Sequence, residues 1–402
     1  MKFSVATNWD DNLIREIESL DPKHQVTEIF GKLASDFVGG GRASLVLPHP
    51  SKRQVRRHIQ EAHRYGLKFN YLLNASCLDN QEFTILGQRK IHKLLDWLTD
   101  LSVDAVTISI PYLLQLIKKQ YPHFKVCISV MAGVNTPERA KYWQDLGADV
   151  ITLYSVDVNR DFPLLRVIRK RVNCELQLIA NNGCLLNCPF SQYHGVIVSH
   201  ASQSTHKLQG FMIPYYIINC RYLRLTDPVN YIRSDWIRPE DIHYYEDIGI
   251  DSLQLTEGST TTEVISKTID AYINRYYDGN LIDILSLLSG KNIAQQNNRI
   301  INKLFYSLKY FFHPFSINVF RLFRILRTIP NINVYIDNRM LDGFLEQFIR
   351  EDCTLKSCQD CGYCEATARR AVKVEPANHK VILVQYEHIL SDLFSGKIFK
   401  YI

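Results

Sequence analysis

The chain has 402 residues, 46% of them apolar and 22% charged, a balance that excludes an intrinsically disordered protein and fits about two or three globular domains. No run approaches the roughly 18 consecutive apolar residues of a membrane helix, and Met1–Asp11 turns acidic before a signal-peptide core forms, so a cytoplasmic location is the expectation. The formal charge of +6 is uneven: residues 284–336 hold no Asp or Glu but seven cations, Lys291, Arg299, Lys303, Lys309, Arg321, Arg324 and Arg327.

Along the chain, short β-rich runs alternate with amphipathic stretches. Strands are expected at Lys2–Ala6, Val26–Phe30, Lys68–Leu73, Ala105–Ile110, Val126–Met131, Val150–Tyr154, Leu176–Ile179 and Ser252–Leu255. Helices are expected over Asp11–Leu20, Ser51–Tyr65, Arg89–Leu98, Pro111–Lys119, Pro137–Leu146 and Phe162–Val172. Ser51, Thr136 and Asp161 supply helix-start chemistry, and Gly147 and Gly249 each close a helix just before the next strand. About eight βα units over residues 1–280 predict an α/β fold, a (β/α)8 TIM-like barrel, in preference to a doubly wound sheet. Barrel chemistry sits at strand C-terminal ends, so Asn8, Asn74–Cys77, Asn181–Cys188 and Glu257 are expected at one mouth.

Beyond residue 280 the texture changes. Aromatic, basic stretches at Leu304–Phe312 and Phe315–Leu326 flank Pro314. A strand at Ile332–Ile336, a helix at Met340–Arg350, a cysteine cluster, a helix at Glu365–Val372 and a strand at Lys380–Gln385 follow. These define a smaller α+β Cys-rich domain, 281–402, behind a barrel domain, 1–280. Residues 284–336 read first as a helix pair with its charges in solvent. The other partners they allow are RNA, with Tyr306, Phe311 or Phe312 stacking on bases, and an anionic membrane. Nothing signals DNA binding.

Ten cysteines in a chain expected in a reducing compartment point to metal, not disulfides. Cys358-x-x-Cys361-x-x-Cys364, with Cys353 upstream, offers four soft thiolates in about a dozen residues. The run is similar to that of ferredoxins and fits a 4Fe-4S cluster, with a four-cysteine zinc knuckle as the alternative. Cys184-x-x-x-Cys188 follows a strand and opens an expected helix. There i,i+4 spacing sets both sulfurs on one face, and a helix N-terminus lowers thiol pKa. Cys77 and Cys220 are the expected partners in a second 4Fe-4S site, while Cys127 and Cys174 read as buried, inert thiols. A radical S-adenosylmethionine enzyme is disfavoured because its third cysteine would fall at Ser191. No G-x-S-x-G or H-E-x-x-H motif supports a hydrolase.

Gly183-Cys-Leu-Leu-Asn-Cys-Pro-Phe190 through His194, with Ile237-Arg-Pro-Glu-Asp-Ile242 and Tyr245 through Gly258, resembles the collagenase-like peptidase U family (U32 type). That family includes the UbiU/UbiV proteins of oxygen-independent ubiquinone synthesis and the RNA-hydroxylation proteins TrhP and RlhA. Over residues 1–280 the resemblance implies a TIM-like barrel holding a 4Fe-4S cluster on four cysteines, and oxygen-independent hydroxylation. Prephenate is the proposed hydroxyl source for the RNA-modifying members. The UbiV pattern implies Cys77 together with Cys184 and Cys188. Two features depart: Ser259 stands where the family has Arg after Gly258, and the C-terminal quartet lies outside the pattern.

Two residues are catalytic candidates. Glu257 would accept a proton or orient a substrate hydroxyl, with a rim salt bridge as the alternative. His194 would serve as an acid–base group or a donor to sulfur, with a hydrogen-bonded core histidine as the alternative. The combined expectation is an iron–sulfur protein for oxygen-independent hydroxylation, or a related redox modification, of a small molecule or RNA. It would draw on a partner subunit or electron donor. A non-catalytic scaffold and a peptidase are the other readings.

Overall fold

The computed structural model describes residues 1–44, 47–206, 213–256, 258–286, 318 and 333–399. Glu257 and most of the basic aromatic segment lie outside the described residues.

Eight strands close into a barrel: β1 (Lys2–Ala6), β2 (Val26–Gly31), β3 (Lys68–Leu73), β4 (Ala105–Ile108), β5 (Lys125–Ile128), β6 (Val150–Thr152), β7 (Glu175–Ile179) and β8 (Ser252–Leu255). Every neighbouring pair is parallel, and closure comes from β8 on β1, with Ser252 against Lys2 and Leu255 against Val5. Helices α1 (Asp11–Leu20), α2 (Lys52–Arg64), α3 (Ile85–Asp100), α4 (Pro111–Gln120), α5 (Pro137–Asp145), the short α6 (Ser155–Val158) and α7 (Phe162–Arg171) return the chain between strands. The expected (β/α)8 architecture is therefore present. The helix starts obey their caps: Ser51 and Gln54 form a reciprocal capping box, Thr136 accepts from Arg139 N, and Asp161 accepts from Leu164 N.

Between β7 and β8 the chain inserts α8 (Ser191–Ser202), α9 (Tyr215–Thr226), α10 (Val229–Ile232) and α11 (Ile242–Glu246), and α12 (Thr262–Asn274) follows β8. This insertion roofs the C-terminal mouth. Below it the barrel interior is polar. Ser4 and Asn70 donate to Glu28, Thr107 donates to Asn70, and Thr152 and Gln177 bond to each other and on to Ser252. These pairs satisfy groups that burial would otherwise penalise by a few kcal/mol.

The C-terminal part is an antiparallel pair, β9 (Val334–Ile336) and β10 (Val372–Val374), with α13 (Glu346–Arg350), α14 (Cys358–Cys361), α15 (Tyr363–Ala371) and α16 (Pro376–Phe394). Ile336, Leu341, Phe344, Leu345 and Ala371 join the same continuous apolar core as the barrel helices. Two expectations are corrected. The helix expected over Met340–Arg350 is broken: a 3-10 turn, Asn338–Leu341, is followed by Gly343 at φ 74° before α13 starts. The strand expected at Lys380–Gln385 is helix. Ile382, Tyr386, Ile389 and Leu390 recur at helical spacing and bury against Ile218 and Leu225 of α9. Local β propensity in Val381–Val384 loses to that packing.

Arg238, 1% exposed, locks this part to the barrel. It donates to Asn338 Oδ1 at 2.9 Å and Asp342 Oδ1 at 2.7 Å, and faces Glu240 and Asp241. Burial pushes the Asp241 carboxyl up to about 6, against the downward pull of Arg238. Arg238→Leu is expected to cost about 3–5 kcal/mol, because it leaves buried carboxylates without their cation. The readout is the thermal midpoint, and an unchanged midpoint would show that the network does not hold the two parts together.

Candidate functional site

The barrel mouth opens into a cavity of about 560 Å³. Its floor is the polar interior, including Asn70, Thr107, Thr152 and Gln177, and its roof comes from the β7–β8 insertion. Cys184, Cys188 and Cys220 all line it, from the loop after β7 and from α9. Asn74 also lines it, donating to Ser129 Oγ at 3.0 Å. Asn8 and Asn181 spend their amides on neighbouring rim segments: Asn8 donates to Thr260 O and Thr262, and Asn181 bonds Thr256 and Ile284.

A charge on Cys220 opposes ionisation of both Cys184 and Cys188. Burial, first of all, pushes the Cys184 and Cys188 thiols up. The helical reading of Cys184-x-x-x-Cys188 is corrected here. Both cysteines precede α8, in a loop that turns at Asn187 (φ 49°) and is pinned by Asn187 N on Val156 O at 3.0 Å. Only Cys188 gains anything from the helix start, a lowering hydrogen bond from the N–H of Phe190, the residue that caps α8, and burial outweighs it.

Two buried charges hold the loop. Asp235, 0% exposed, accepts from Ser155 Oγ (2.7 Å), Asn182 Nδ2 (2.9 Å) and Cys184 N (2.7 Å), and its own N–H donates to Cys184 O. Arg224, 5% exposed, donates to the Cys220 sulfur, to Gly183 O and to Ser234 Oγ, while its Nε has no hydrogen-bond partner among the described residues. Desolvation opposes its charge, and the Cys220 and Cys184 thiols favour it.

His194, on α8, lines the same cavity and stacks on Tyr216 at 3.8 Å between ring centroids. Burial first, then the nearby Arg42 charge, lowers it to about 4, so it is neutral at pH 7.

Cys77 is not brought to these three thiols. It is absent from the cavity lining and stands instead with Asp79 and His200. His200 is in the last turn of α8, about 13 Å of helix beyond Ser191. Among the four C-terminal cysteines, Cys353 feels the charges of Cys358 and Cys361 and Cys364 those of Cys353 and Cys358, although no three of their sulfurs lie within 4.8 Å of one another. Gly362 (φ 62°) supplies the chain reversal between Cys361 and Cys364. Cys353, Cys358 and Cys361 are exposed. Behind them lies Arg160, 5% exposed, stacked over Trp236, Phe344 and Phe348 at 4.4, 5.1 and 5.6 Å. Its Nε and Nη2 have no hydrogen-bond partner among the described residues, and Cys364 is the charge that favours its cation most. Cys127 is buried in β5, and burial raises it and Cys174, the latter to about 11.

Asp235, Arg224 and Arg160 escape a motif search because single charged residues between apolar ones carry no spacing signature. The one available signal is Asp235 and Arg238 framing Trp236-Ile237 at the head of the family-like segment.

A closed eight-stranded parallel barrel surrounded by helices defines the fold class. The family model described as peptidase family U32 matches residues 47–185. The "uncharacterized protease MJ1657" of Methanocaldococcus jannaschii is 30% identical over 341 residues, covering 85% of this chain and 87% of that protein. The chain belongs to peptidase family U32. Among solved structures, the U32 peptidase Mk0906 aligns with a TM-score of 0.48 at 23% identity, over 64% of this chain and 93% of that one. FabK from Thermotoga maritima aligns with a TM-score of 0.24 at 11% identity, over 45% and 58%. No described helix is long and apolar enough to cross a membrane.

The neutral His194 has a pH signature. Unfolded, it binds a proton near pH 6.5, but folded only near 4. Stability is therefore full above about pH 6.5 and falls as pH drops toward 4, by up to about 3 kcal/mol. His194→Gln is expected to remove this part of the acid sensitivity, seen as a shallower fall of melting temperature between those pH values. Parallel curves would refute it.

Proposed function

We propose that this chain is an iron–sulfur protein whose mouth thiols Cys184, Cys188 and Cys220 hold a 4Fe-4S cluster beside the cavity. In this reading it acts in oxygen-independent hydroxylation, or a related redox modification, of a small anionic substrate. The observation that carries it is that three thiols and one buried, incompletely partnered arginine line the same cavity. Burial disfavours an isolated thiolate, but a bound metal ionises a coordinating thiol outright, and Arg224 is placed to offset the charge. The donor set therefore fits the group.

Bound there, a cluster on three cysteines supplies electron transfer and one iron open to a non-cysteine ligand. The chain's own residues do the rest. Asp235 fixes the Cys184 backbone, and Arg224 holds the Cys220 sulfur. His194, neutral and at the cavity wall, offers its unprotonated imidazole nitrogen to accept a proton or a hydrogen bond from substrate. Arg42, Arg221 and Arg224 line the cavity beside Lys32 and Lys267, which pair with Asp36 and Asp283, and the positive balance left by the arginines favours an anion. In hydroxyl transfer from an organic donor, the acceptor's C–H becomes C–OH, a two-electron oxidation, and the donor leaves reduced by the same two electrons.

Cys353, Cys358, Cys361 and Cys364 would hold a second cluster. Their exposure suits electron delivery from a protein donor, and Arg160 supplies the buried countercharge.

Anaerobic purification is expected to give about eight irons per chain and no zinc at the C-terminal quartet. Cys184→Ser, Cys188→Ser or Cys220→Ser should each reduce this to about four. A colourless protein, or iron unchanged in all three variants, would sink the barrel site, and zinc lost with Cys361→Ser would convert the C-terminal site to a knuckle. Peptide hydrolysis that survives full iron chelation would overturn the redox reading. Arg160→Met is expected to make the C-terminal cluster harder to reduce, read by redox titration, because a buried cation stabilises the more negative reduced state.

A further inference from the structure

We infer that Cys77, Asp79, His200 and His206 form a binding site for a divalent transition cation of the zinc class, separate from the barrel thiols. One ligating atom from each of Cys77, Asp79 and His200 lies within 4.8 Å of the other two, the one such convergence of three His, Cys, Asp or Glu side chains among the described residues. His206 supplies a second imidazole, with Nε2 at 3.3 Å from Asp79 Oδ2, and ligates the ion once its ring turns out of the present stack on His200 (4.3 Å between centroids), because an imidazole binds metal in its ring plane.

Three observations favour a cation over a set of ordinary polar contacts. His200 Nε2 is buried and has no hydrogen-bond partner among the described residues, although Asp79 Oδ1 faces it at 3.8 Å. That gap is too long for a hydrogen bond and closes readily when donors draw in to a tetrahedral ion, around which they stand about 3.5 Å apart. The donor types also match: one thiolate, one carboxylate and two imidazoles make a set of borderline softness, which suits zinc better than magnesium or calcium. Finally, the shape is that of a ligand site and not of a nucleophile relay. In a thiol–imidazole–carboxylate relay the thiol and carboxylate engage opposite ring nitrogens, whereas here all three atoms converge on one point.

The loop carrying Cys77 and Asp79 is already shaped for this. Asp79 and Asn80 both take left-handed backbone (φ 54° and 58°), Asp79 N–H donates to the Cys77 sulfur at 3.4 Å, and Gln203 Nε2 donates to Cys77 O. Four protein donors leave no open position, so the ion is structural. It ties the loop after β3 to the C-terminal end of α8, the helix that presents His194 to the cavity.

The test uses the full-length chain with zinc and, separately, cobalt(II). One zinc per chain is expected that is lost in Cys77→Ser and bound at least tenfold more weakly in Asp79→Asn, His200→Gln and His206→Gln. Cobalt(II) should give a sulfur-to-metal charge-transfer band that Cys77→Ser removes and Cys184→Ser leaves intact. If Cys77→Ser fails to fold, the conservative His206→Gln and Asp79→Asn carry the same readings. Zinc content and the cobalt spectrum unchanged across these variants would overturn the inference, as would iron lost in Cys77→Ser with zinc retained, since Cys77 would then belong to the cluster. Failure of the barrel iron site leaves these readings untouched.

Discussion

The site depends on one buried carboxylate. Asp235 receives hydrogen bonds from Ser155 after β6 and from Asn182 and Cys184 after β7, while lying itself in the insertion that leads to β8. A closed barrel places strand ends on a ring, but it does not say how loops leaving adjacent strands meet. Asp235 does, because a fully buried carboxylate must fill its acceptor sites and three donors from the two loops are what fill them. Burial pushes its pKa up and those hydrogen bonds pull it back. The position of Cys184 is therefore set by the strictest demand in the neighbourhood.

The two groups of thiols meet the same electrostatic problem in the same way. Arg224 behind Cys220 and Arg160 behind Cys364 are both almost fully buried, and both keep N–H groups unpartnered among the described residues. A buried guanidinium without full pairing costs several kcal/mol, unless a nearby anion offsets it. At each site a thiol is the largest charge favouring the cation, Cys364 for Arg160 and Cys220 for Arg224, with Asp235 adding to both. Stacking over Trp236, Phe344 and Phe348 recovers part of the cost for Arg160. Cations so placed make sense when the sulfurs facing them are ionised, the state that ligation imposes.

What can be read from the chain follows from the range of the forces involved. The eight barrel strands and their capped helices are local: period-two runs, Ser51, Thr136, Asp161 and Gly147 are visible within a few residues of where they act. The C-terminal helix α16 reads as strand because Val381–Val384 is locally strand-like, and only α9, far earlier in the chain, makes the helical face of Ile382 and Tyr386 the buried one. The cysteines are recognisable as candidate ligands by type, yet their grouping is a tertiary fact. Cys184 and Cys188 meet Cys220 because the insertion folds back over the mouth, whereas Cys77 leaves β3 toward the other end of α8. Arg224 and Asp235 carry no signature at all, since one charge between apolar neighbours looks like any surface residue until the roof covers it.

Helix α8 connects these arrangements. It starts beside Cys188, carries His194 at the cavity wall and ends at His200. Gly195 lets it approach the barrel: a Cβ there would come within 2.8 Å of Met131 Cε and 3.3 Å of Ser76 Oγ. Ser199 Oγ then accepts from Ser76 N, Ser202 Oγ from Gly40 N, and Gln203 donates to Cys77 O and Val38 O. All of these contacts lie at the C-terminal half, against the loops after β2 and β3. The N-terminal half, which faces the mouth thiols, is instead positioned through the loop that Asp235 and Asn187 pin. A rigid helix fixed independently at both ends cannot rotate, so the imidazole of His194 keeps its stack on Tyr216, and its aim into the cavity follows from two anchors that share no residue.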